Sequence, residues 1–287
     1  MPNFLNNTTL THEKKVNVLY SYYYNQECRI EDTVQKTGKY VSHFMLDSGG
    51  FSTRNMPENE RENLRMNFIN YIKNRQETHN DFKCIFAYDD LKESVDVNIN
   101  YFDELHGLYS GIVPIIHDLD EPDYEITAYL SYKPEIIAIG QANNGKKERN
   151  AKRLKSVIDK IRSNKKDIKI HLLGITKLET LLEVDFDTCD SKSYLDCAIS
   201  GIVMYFNEKT GKELIYFPNK ENKKKSGTVL LDDASHKQDF LNDMEKVFKL
   251  RREDFFNNNA QKNRTLANIY YTIQIENYLK NPTIFKK

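Results

Sequence analysis

The sequence predicts a mixed α/β protein, with a (β/α)8 TIM-like barrel over residues 1–230 and a C-terminal helical extension over residues 231–287. Short β-branched or aromatic runs alternate with longer helical patterns along most of the chain. Several of these runs are apolar at almost every position, which is typical of parallel strands buried on both faces. Roughly eight strands in such alternation favour a barrel, with a doubly wound sheet as the alternative.

The predicted strands are short runs rich in apolar residues: Val16–Tyr20, His43–Asp47, Lys83–Tyr88, Ile112–His117, Ile136–Gly140, Lys169–Gly174, Val184–Cys189 and Ile202–Phe206. The helices predicted between them are Glu58–Lys73, Lys92–Leu108, Tyr124–Tyr132, Arg149–Ser163 and Thr176–Leu182. In the first helix, apolar residues recur with the spacing of one helix face. The polar segment Asn219–Thr228 is predicted to be a loop, and the helices Ala234–Leu250 and Ala260–Leu279 form the extension.

The composition predicts a soluble, cytoplasmic protein. Hydrophobic residues make up 39% of the chain and charged residues 29%, which provides a core beneath a charged surface. No apolar run approaches the ~20 residues of a membrane span, and the first residues do not resemble a signal peptide. The four cysteines (Cys28, Cys84, Cys189 and Cys197) form no CxxC or CxC pair. Neither a zinc site nor a disulfide framework is expected, and no cofactor is predicted.

Positive charge is concentrated in one segment, although the net charge of the chain is zero. From Lys146 to Lys169 there are eleven lysine or arginine residues against three acidic ones. Such a cluster can bind a phosphate backbone through counterion release, although a solvated helix face has the same composition. The candidate contacts to a nucleic-acid backbone are Lys146, Lys147, Arg149, Lys152 and Arg153.

Polar residues follow the predicted strands, at the end where a parallel barrel carries its functional side chains. Asp47 ends one strand and precedes two adjacent glycines, which permit a tight turn and close approach of a planar ligand. Each aspartate could instead cap the next helix, but the set as a whole indicates a functional site. The candidates at the ends of later strands are Asp89, His117, Gly140, Gln141, Asp187 and Asp190.

Four segments, in the same order, resemble signatures of the tRNA-guanine transglycosylase superfamily. MLDSGGFS (Met45–Ser52) is similar to its DSGGFQ or DSGGYQ signature, and FAYDD (Phe86–Asp90) to its AFDE segment. IHLLGITKLETLL (Ile170–Leu182) is similar to HYLMGVGxPxDLL, and CDSKSY (Cys189–Tyr194) to the FDSASY of archaeal-type members. The resemblance extends over roughly two thirds of the chain and implies a barrel enzyme that acts on a nucleobase.

The resemblance implies catalytic roles for three aspartates. Asp190 would attack the sugar C1′, with Asp187 as the rival because VDFD also resembles the VDMFD of bacterial members. Asp47 would be the general acid/base that handles the leaving or entering base. Cleavage of an N-glycosidic bond builds positive charge on the sugar, which a nearby carboxylate stabilises or captures covalently. A second carboxyl group with a raised pKa protonates the departing base.

Other matched positions would form the base pocket. Asp89 would accept hydrogen bonds from the edge of the base, and Phe51 could stack on its face. His117 falls where the family often places a glutamine. The remaining pocket residues implied by the match are Ser48, Gly49, Gly50 and Gly140. Gln141 joins them as a candidate because it follows Gly140 at the end of the strand.

The chain also departs from the family. Classical members carry a CxCxxC…H zinc site after the nucleophile strand, whereas this region contains Cys197 alone and no histidine before His236. Ser52 stands where the family has glutamine, and residues 141–144 differ from its glycine-containing turn. A retuned base pocket is therefore expected, closer to the short DNA-modifying members, and guanine is not implied.

These observations predict an enzyme that acts on the N-glycosidic bond of a nucleic acid, with DNA favoured over tRNA. Base exchange with a free 7-deazaguanine-type base is the first hypothesis. Hydrolytic excision of a modified base, as in defence against phage, is the alternative, and a barrel that binds nucleic acid without catalysis is the third. The sequence leaves open the identity of the base, the choice between exchange and hydrolysis, and the oligomeric state.

Overall fold

The computed structural model describes residues 16–26, 32, 41–75, 81–140, 147–207, 211–218 and 224–280. The described chain divides into two compact units, the first ending at Asp190 and the second beginning at Ser191. The sequence placed the boundary after residue 230, so the structure differs by assigning the segment from Ser191 onward to the second unit. None of the described helices is both long and apolar enough to span a membrane.

The first unit is built on parallel strands. They are β1 (Val16–Ser21), β2 (Val41–Asp47), β3 (Phe82–Phe86), β4 (Ile112–Val113), β5 (Ile115–Ile116), β6 (Ile136–Ile139), β7 (Lys169–Leu172) and β8 (Thr188–Cys189). They form two four-stranded sheets, ordered β1-β2-β3-β4 and β5-β6-β7-β8. Every strand predicted up to Cys189 overlaps an observed strand, so the parallel α/β architecture of this region is confirmed.

Pro114 divides one predicted strand into β4 and β5. The backbone N–H of Ala87 donates to Val113 O at 3.0 Å, and that of Ala138 donates to Pro114 O at 2.9 Å. The segment therefore hydrogen-bonds to the chain that follows β3 through Val113 and to β6 through Pro114. Proline has no N–H to donate, which interrupts the regular ladder at this point. The two sheets are continuous through residues 112–116, and seven parallel strand positions follow one another in chain order.

The continuous sheet is strongly curved. The ring centroids of Phe86 on β3 and His171 on β7 lie 4.7 Å apart, although two strand positions separate these strands. In a flat sheet, three spacings of about 4.8 Å would place the two strands about 14 Å apart. The concave face carries an apolar cluster that includes Met45, Cys84, Phe86, Val113, Ile115 and Ala138. No pairing of β1 with β8 closes the sheet among the described residues, so an eight-stranded closed barrel is not shown.

The convex face of the sheet is covered as well, because Leu46, Ile85 and Ile137, which alternate with the concave cluster, are almost completely buried. The helices of this unit are α1 (Glu58–Asn74), α2 (Val95–Leu108), α3 (Asp123–Ser131), α4 (Lys147–Asn164) and α5 (Leu178–Leu181). Each overlaps a predicted helix. Capping sets the boundary of α2, since the side chain of Ser94 accepts a hydrogen bond from Val97 N at 3.3 Å.

The second unit combines helices with a three-stranded sheet. Its elements are α6 (Ser193–Ile199), β9 (Ile202–Asn207), β10 (Gly211–Tyr216), β11 (Val229–Leu230), α7 (Lys237–Phe248) and α8 (Ala260–Lys280). β9 pairs antiparallel with β10, and β10 pairs parallel with β11. The run Ile202–Phe206, predicted as a barrel strand, thus belongs to an antiparallel pair.

Asn268 of α8 explains this difference. Its fully buried side chain accepts a hydrogen bond from Met204 N at 2.7 Å and donates to Ile202 O at 3.1 Å. These two backbone groups lie on the edge of β9 that faces away from β10, because Gly201 O on the other edge accepts from Phe217 N. A helix side chain therefore occupies the hydrogen-bonding positions that a further strand would need.

Replacing Asn268 with alanine is expected to lower the free energy of unfolding by roughly 2–4 kcal/mol, because buried backbone groups of β9 lose their partners. Urea denaturation followed by circular dichroism would measure the loss. Gln261→Ala, at an exposed position of the same helix, is the matched control and should have little effect. Equal losses in the two variants would show that Asn268 does not stabilise this edge.

Candidate active site

Three acidic side chains meet at the carboxyl-terminal ends of strands in the first unit. Asp47 is the last residue of β2, Asp89 follows β3, and Asp190 follows β8. Asp89 and Asp190 are both close enough for their charges to raise the pKa of Asp47. Although imidazole and carboxyl groups gather here, no three His, Cys, Asp or Glu side chains in the described part of the chain are arranged to hold a metal ion.

Asp47 has the properties of a general acid. Burial raises the pKa of its carboxyl group to about 8, and the charges of Asp89 and then Asp190 contribute to the rise. Hydrogen bonds from the backbone, including one from Gly49 N to Oδ2 at 3.0 Å, oppose the shift only in part. At neutral pH the side chain is therefore a carboxylic acid with a proton to donate.

The glycines after this aspartate are required by close packing. Gly49 has a φ of +86°, and a Cβ at this position would lie 2.4 Å from Tyr23 Cβ. A Cβ on Gly50 would lie 2.0 Å from the carbonyl oxygen of Asp89. Ser48 is fully buried, and its Oγ accepts a hydrogen bond from Gly50 N at 3.3 Å. These three residues shape the turn that brings the β2 end against the β3 end.

Phe51 follows the turn and is exposed over 48% of its surface. The guanidinium carbon of Arg54 lies 4.1 Å from its ring centroid, a cation–π contact. The pair presents an exposed aromatic ring and a positive charge next to the glycine turn. This surface can stack on a base and attract a phosphate.

His117 links two carboxylates. Its Nε2 lies 2.9 Å from Asp89 Oδ2, and its Nδ1 lies 3.4 Å from Oε1 of Glu125, which is 1% exposed. Burial alone would lower the pKa of His117, but the hydrogen bonds to Asp89 and Glu125 outweigh it and raise the pKa to about 9. The imidazolium therefore holds Asp89 through Oδ2. A Cβ on Gly140 would lie 3.5 Å from His117 Cδ2, so this glycine borders the same group.

Asp190 is held through one of its two oxygens. Oδ1 accepts hydrogen bonds from Gly174 N at 3.0 Å and from His171 Nε2 at 3.2 Å. No described residue donates to Oδ2, and 24% of the side chain is exposed. Both facts leave Oδ2 as the oxygen that can reach a substrate.

Asp187 lies away from these groups. Its Oδ2 accepts a hydrogen bond from Ile170 N at 2.8 Å, near the start of β7, and pairs with Arg162 Nη2 at 3.2 Å. Asp190 instead bonds to Gly174, beyond the end of β7. Three residues of extended chain span about 10 Å, so the two aspartates are at different ends of the strand.

The predicted nucleic-acid contacts are only partly described. Gln141 and Lys146 lie outside the described residues, as do the side chains of Lys147 and Arg149. Lys152 is exposed, and Arg153 forms an ion pair with Asp120 at 2.7 Å. Because α4 follows β6, its amino-terminal turns lie toward the carboxyl-terminal end of the sheet, the end that carries the aspartates.

Sequence reasoning missed Glu125 and His171. Glu125 lies on a helix whose sequence offers no sign that one carboxylate turns inward and accepts the N–H groups of His117 and Asp118. His171 stood out only as part of a matched segment. A signal was present, because Leu173, which directly follows β7, is two positions from His171 and therefore shares its face, and Leu173 packs against the concave cluster.

No protein-family model and no curated protein sequence matches the chain. A solved structure described as QR15, an Aldolase, is similar at 11% sequence identity and a TM-score of 0.32. The match covers 64% of this chain and 92% of that chain. A likeness at this score carries no argument about fold or activity. The parallel architecture is evident from strand order and register, and the chemistry has to be inferred from the residues at the strand ends.

Proposed function

We propose that this chain is an enzyme that breaks the N-glycosidic bond of a nucleotide in a nucleic acid, with base exchange on DNA as the favoured reaction. The observation that carries the proposal is the juxtaposition of Asp47 and Asp190, two carboxyl groups in different environments. Asp47 holds a proton at neutral pH, with a pKa of about 8. Asp190 is fixed through Oδ1 and presents Oδ2.

The first step uses both groups. Oδ2 of Asp190 attacks the sugar C1′, and the electron pair of the C1′–N bond leaves with the base. Asp47 gives its proton to that base, so the products are a neutral base and a glycosyl ester of Asp190. Two carboxyl groups with these roles are the arrangement that glycosidic cleavage requires.

The second step distinguishes exchange from hydrolysis. Asp47, now a carboxylate, takes a proton from the incoming group as that group attacks C1′ and releases Asp190. An incoming base gives exchange, and water gives an abasic site. Both reactions use the same residues, so hydrolytic excision of a modified base is the alternative function.

The pocket residues support a base as the leaving group. Asp89 is oriented by His117 through Oδ2, which leaves its other oxygen to accept a hydrogen bond from a base edge. Gly140 provides bare backbone next to it, and Phe51 provides an exposed ring. A base inside a duplex has to be flipped out before it can occupy such a pocket.

The test is to incubate the protein with separate pools of modified and unmodified DNA and tRNA, and to quantify released bases and abasic sites by mass spectrometry. Base release that requires an added deazaguanine, without abasic sites, would establish exchange. Free base accompanied by abasic sites would establish hydrolysis. Binding without release from any pool would refute the enzymatic proposal and favour a non-catalytic binding protein.

The lysine- and arginine-rich segment from Lys146 to Lys169 is expected to contribute to nucleic-acid affinity. Lys152→Glu combined with Lys155→Glu should weaken binding and reduce the slope of log K against log salt by about 0.9 for each phosphate that the protein no longer neutralises. Lys166→Glu with Lys169→Glu makes the same charge change beyond the other end of α4 and serves as the control. Fluorescence anisotropy at several salt concentrations would measure both. An equal effect of the two pairs would mean that α4 does not bind the nucleic acid specifically.

A further inference from the structure

We propose that Thr188, His171 and Asp190 form a hydrogen-bonded chain in which His171 is a positioning residue that keeps Oδ2 of Asp190 directed at the sugar. This inference rests on the proposed function, in which Asp190 is the nucleophile. It adds two residues, His171 and Thr188, that neither the motifs nor the strand-end pattern singled out.

The geometry of the chain is built into the sheet. His171 on β7 and Thr188 on β8 are direct cross-strand partners, and His171 Nδ1 lies 2.8 Å from Thr188 Oγ1. On the other side of the ring, Nε2 lies 3.2 Å from Asp190 Oδ1. The imidazole is 1% exposed and packs against Phe86, with ring centroids 4.7 Å apart. Strand register and ring packing therefore fix both hydrogen bonds.

The chemistry of the partners determines which nitrogen carries the proton. An ionised Asp190 can only accept hydrogen bonds, so Nε2 of His171 has to be the N–H donor. In a neutral imidazole that donates through Nε2, Nδ1 carries a lone pair. Thr188 is the group that can donate to that lone pair. Thr188 thus completes the hydrogen bonding of the tautomer that donates to Asp190.

This chain has a consequence for the reaction. Gly174 N and His171 Nε2 both bond to Oδ1, so the carboxylate cannot rotate without losing two hydrogen bonds. Oδ2 is kept in a fixed position before the substrate arrives. Without the His171 donor, Asp190 would sample other orientations, and a small misplacement of a reacting atom can cost on the order of 100-fold in rate.

The decisive variant is Thr188→Val, which preserves shape and removes the hydroxyl. In protein labelled with 15N-histidine, we expect the wild-type His171 resonances to show a protonated Nε2 and an unprotonated Nδ1. His171→Asn identifies these resonances by their loss. In Thr188→Val, Nε2 should stay protonated because it faces Asp190, whereas the Nδ1 resonance should move because its hydrogen bond is lost. We expect kcat for base release to fall by about 10- to 100-fold with KM unchanged. Thr188→Ser should restore both properties.

The two readouts separate this proposal from the proposed function. An unchanged Nδ1 resonance and an unchanged kcat in Thr188→Val would overturn the positioning role of the chain, even in an active enzyme. A wild-type protein that shows the expected tautomer but releases no base from any DNA or tRNA pool would refute the proposed function, and with it the role of the chain in catalysis. An Nδ1-protonated tautomer in the wild type would overturn the hydrogen-bond assignment itself.

Discussion

Asp190→Asn is expected to reduce base release by roughly 1,000-fold or more while leaving nucleic-acid affinity unchanged. The amide retains the shape of the side chain and can still accept hydrogen bonds from Gly174 N and His171 Nε2 through its oxygen. It carries no charge and cannot form the glycosyl ester. Single-turnover kinetics would measure the rate, and anisotropy would measure affinity on the same substrate.

The matched control is Asp187→Asn, which changes an aspartate three positions earlier. Asp187 bonds to Ile170 N and pairs with Arg162, so its replacement should lower stability but preserve the rate per folded molecule. An inactive Asp187→Asn together with a fully active Asp190→Asn would move the nucleophile to Asp187. Such a result would also contradict the register of β8 against β7.

Asp47→Asn is expected to lower the rate by roughly 10²- to 10⁴-fold, because the amide has no acidic proton for the leaving base. The pKa of Asp47 is raised to about 8, so the group is an acid below that pH and a carboxylate above it. In the wild type, kcat/KM should therefore fall as the pH rises through about 8. The residual activity of Asp47→Asn should not fall as the pH rises through about 8. If the variant still shows this fall, a group other than Asp47 is responsible for it.

The same shift predicts how stability depends on pH. Asp47 has a pKa of about 8 in the folded protein against 3.8 as its ordinary value, so folding favours the protonated form. The stability associated with that proton is complete below about pH 4 and is lost as the pH rises through about 8. Asp47→Asn removes the buried charge, so its thermal stability relative to the wild type should improve from pH 5 to pH 9. Melting curves at the two pH values would check the sign.

Much of the first unit could be predicted from sequence because its strands are continuously apolar and its helices are amphipathic. The same reasoning failed for Ile202–Phe206, since an apolar run is equally compatible with a parallel barrel strand and with an antiparallel pair. Whether a further strand can pair with this run depends on Asn268, which lies 64 residues from Met204 in the chain. Local patterns do not report such a distant hydrogen bond, and the sheet of the second unit was missed for the same reason.

The candidate site was predictable to the extent that strand ends determine it. Asp47, Asp89 and Asp190 meet as expected because parallel strands place their carboxyl ends together. The separation of Asp187 from Asp190 depends on the register of β8 against β7, which the sequence did not provide. Glu125 and His171 were hidden because each acts through a neighbour.

The close approach of Gly50 to the carbonyl oxygen of Asp89 bears on how this protein can diverge. A side chain at position 50 is excluded by the backbone that follows β3, so a related chain that kept the fold would need this glycine whether or not it kept the proposed reaction. The second glycine of the DSGG segment is thus a requirement of loop geometry. Asp190 is partly exposed and meets no such packing constraint, so a related chain could replace it without disturbing this turn.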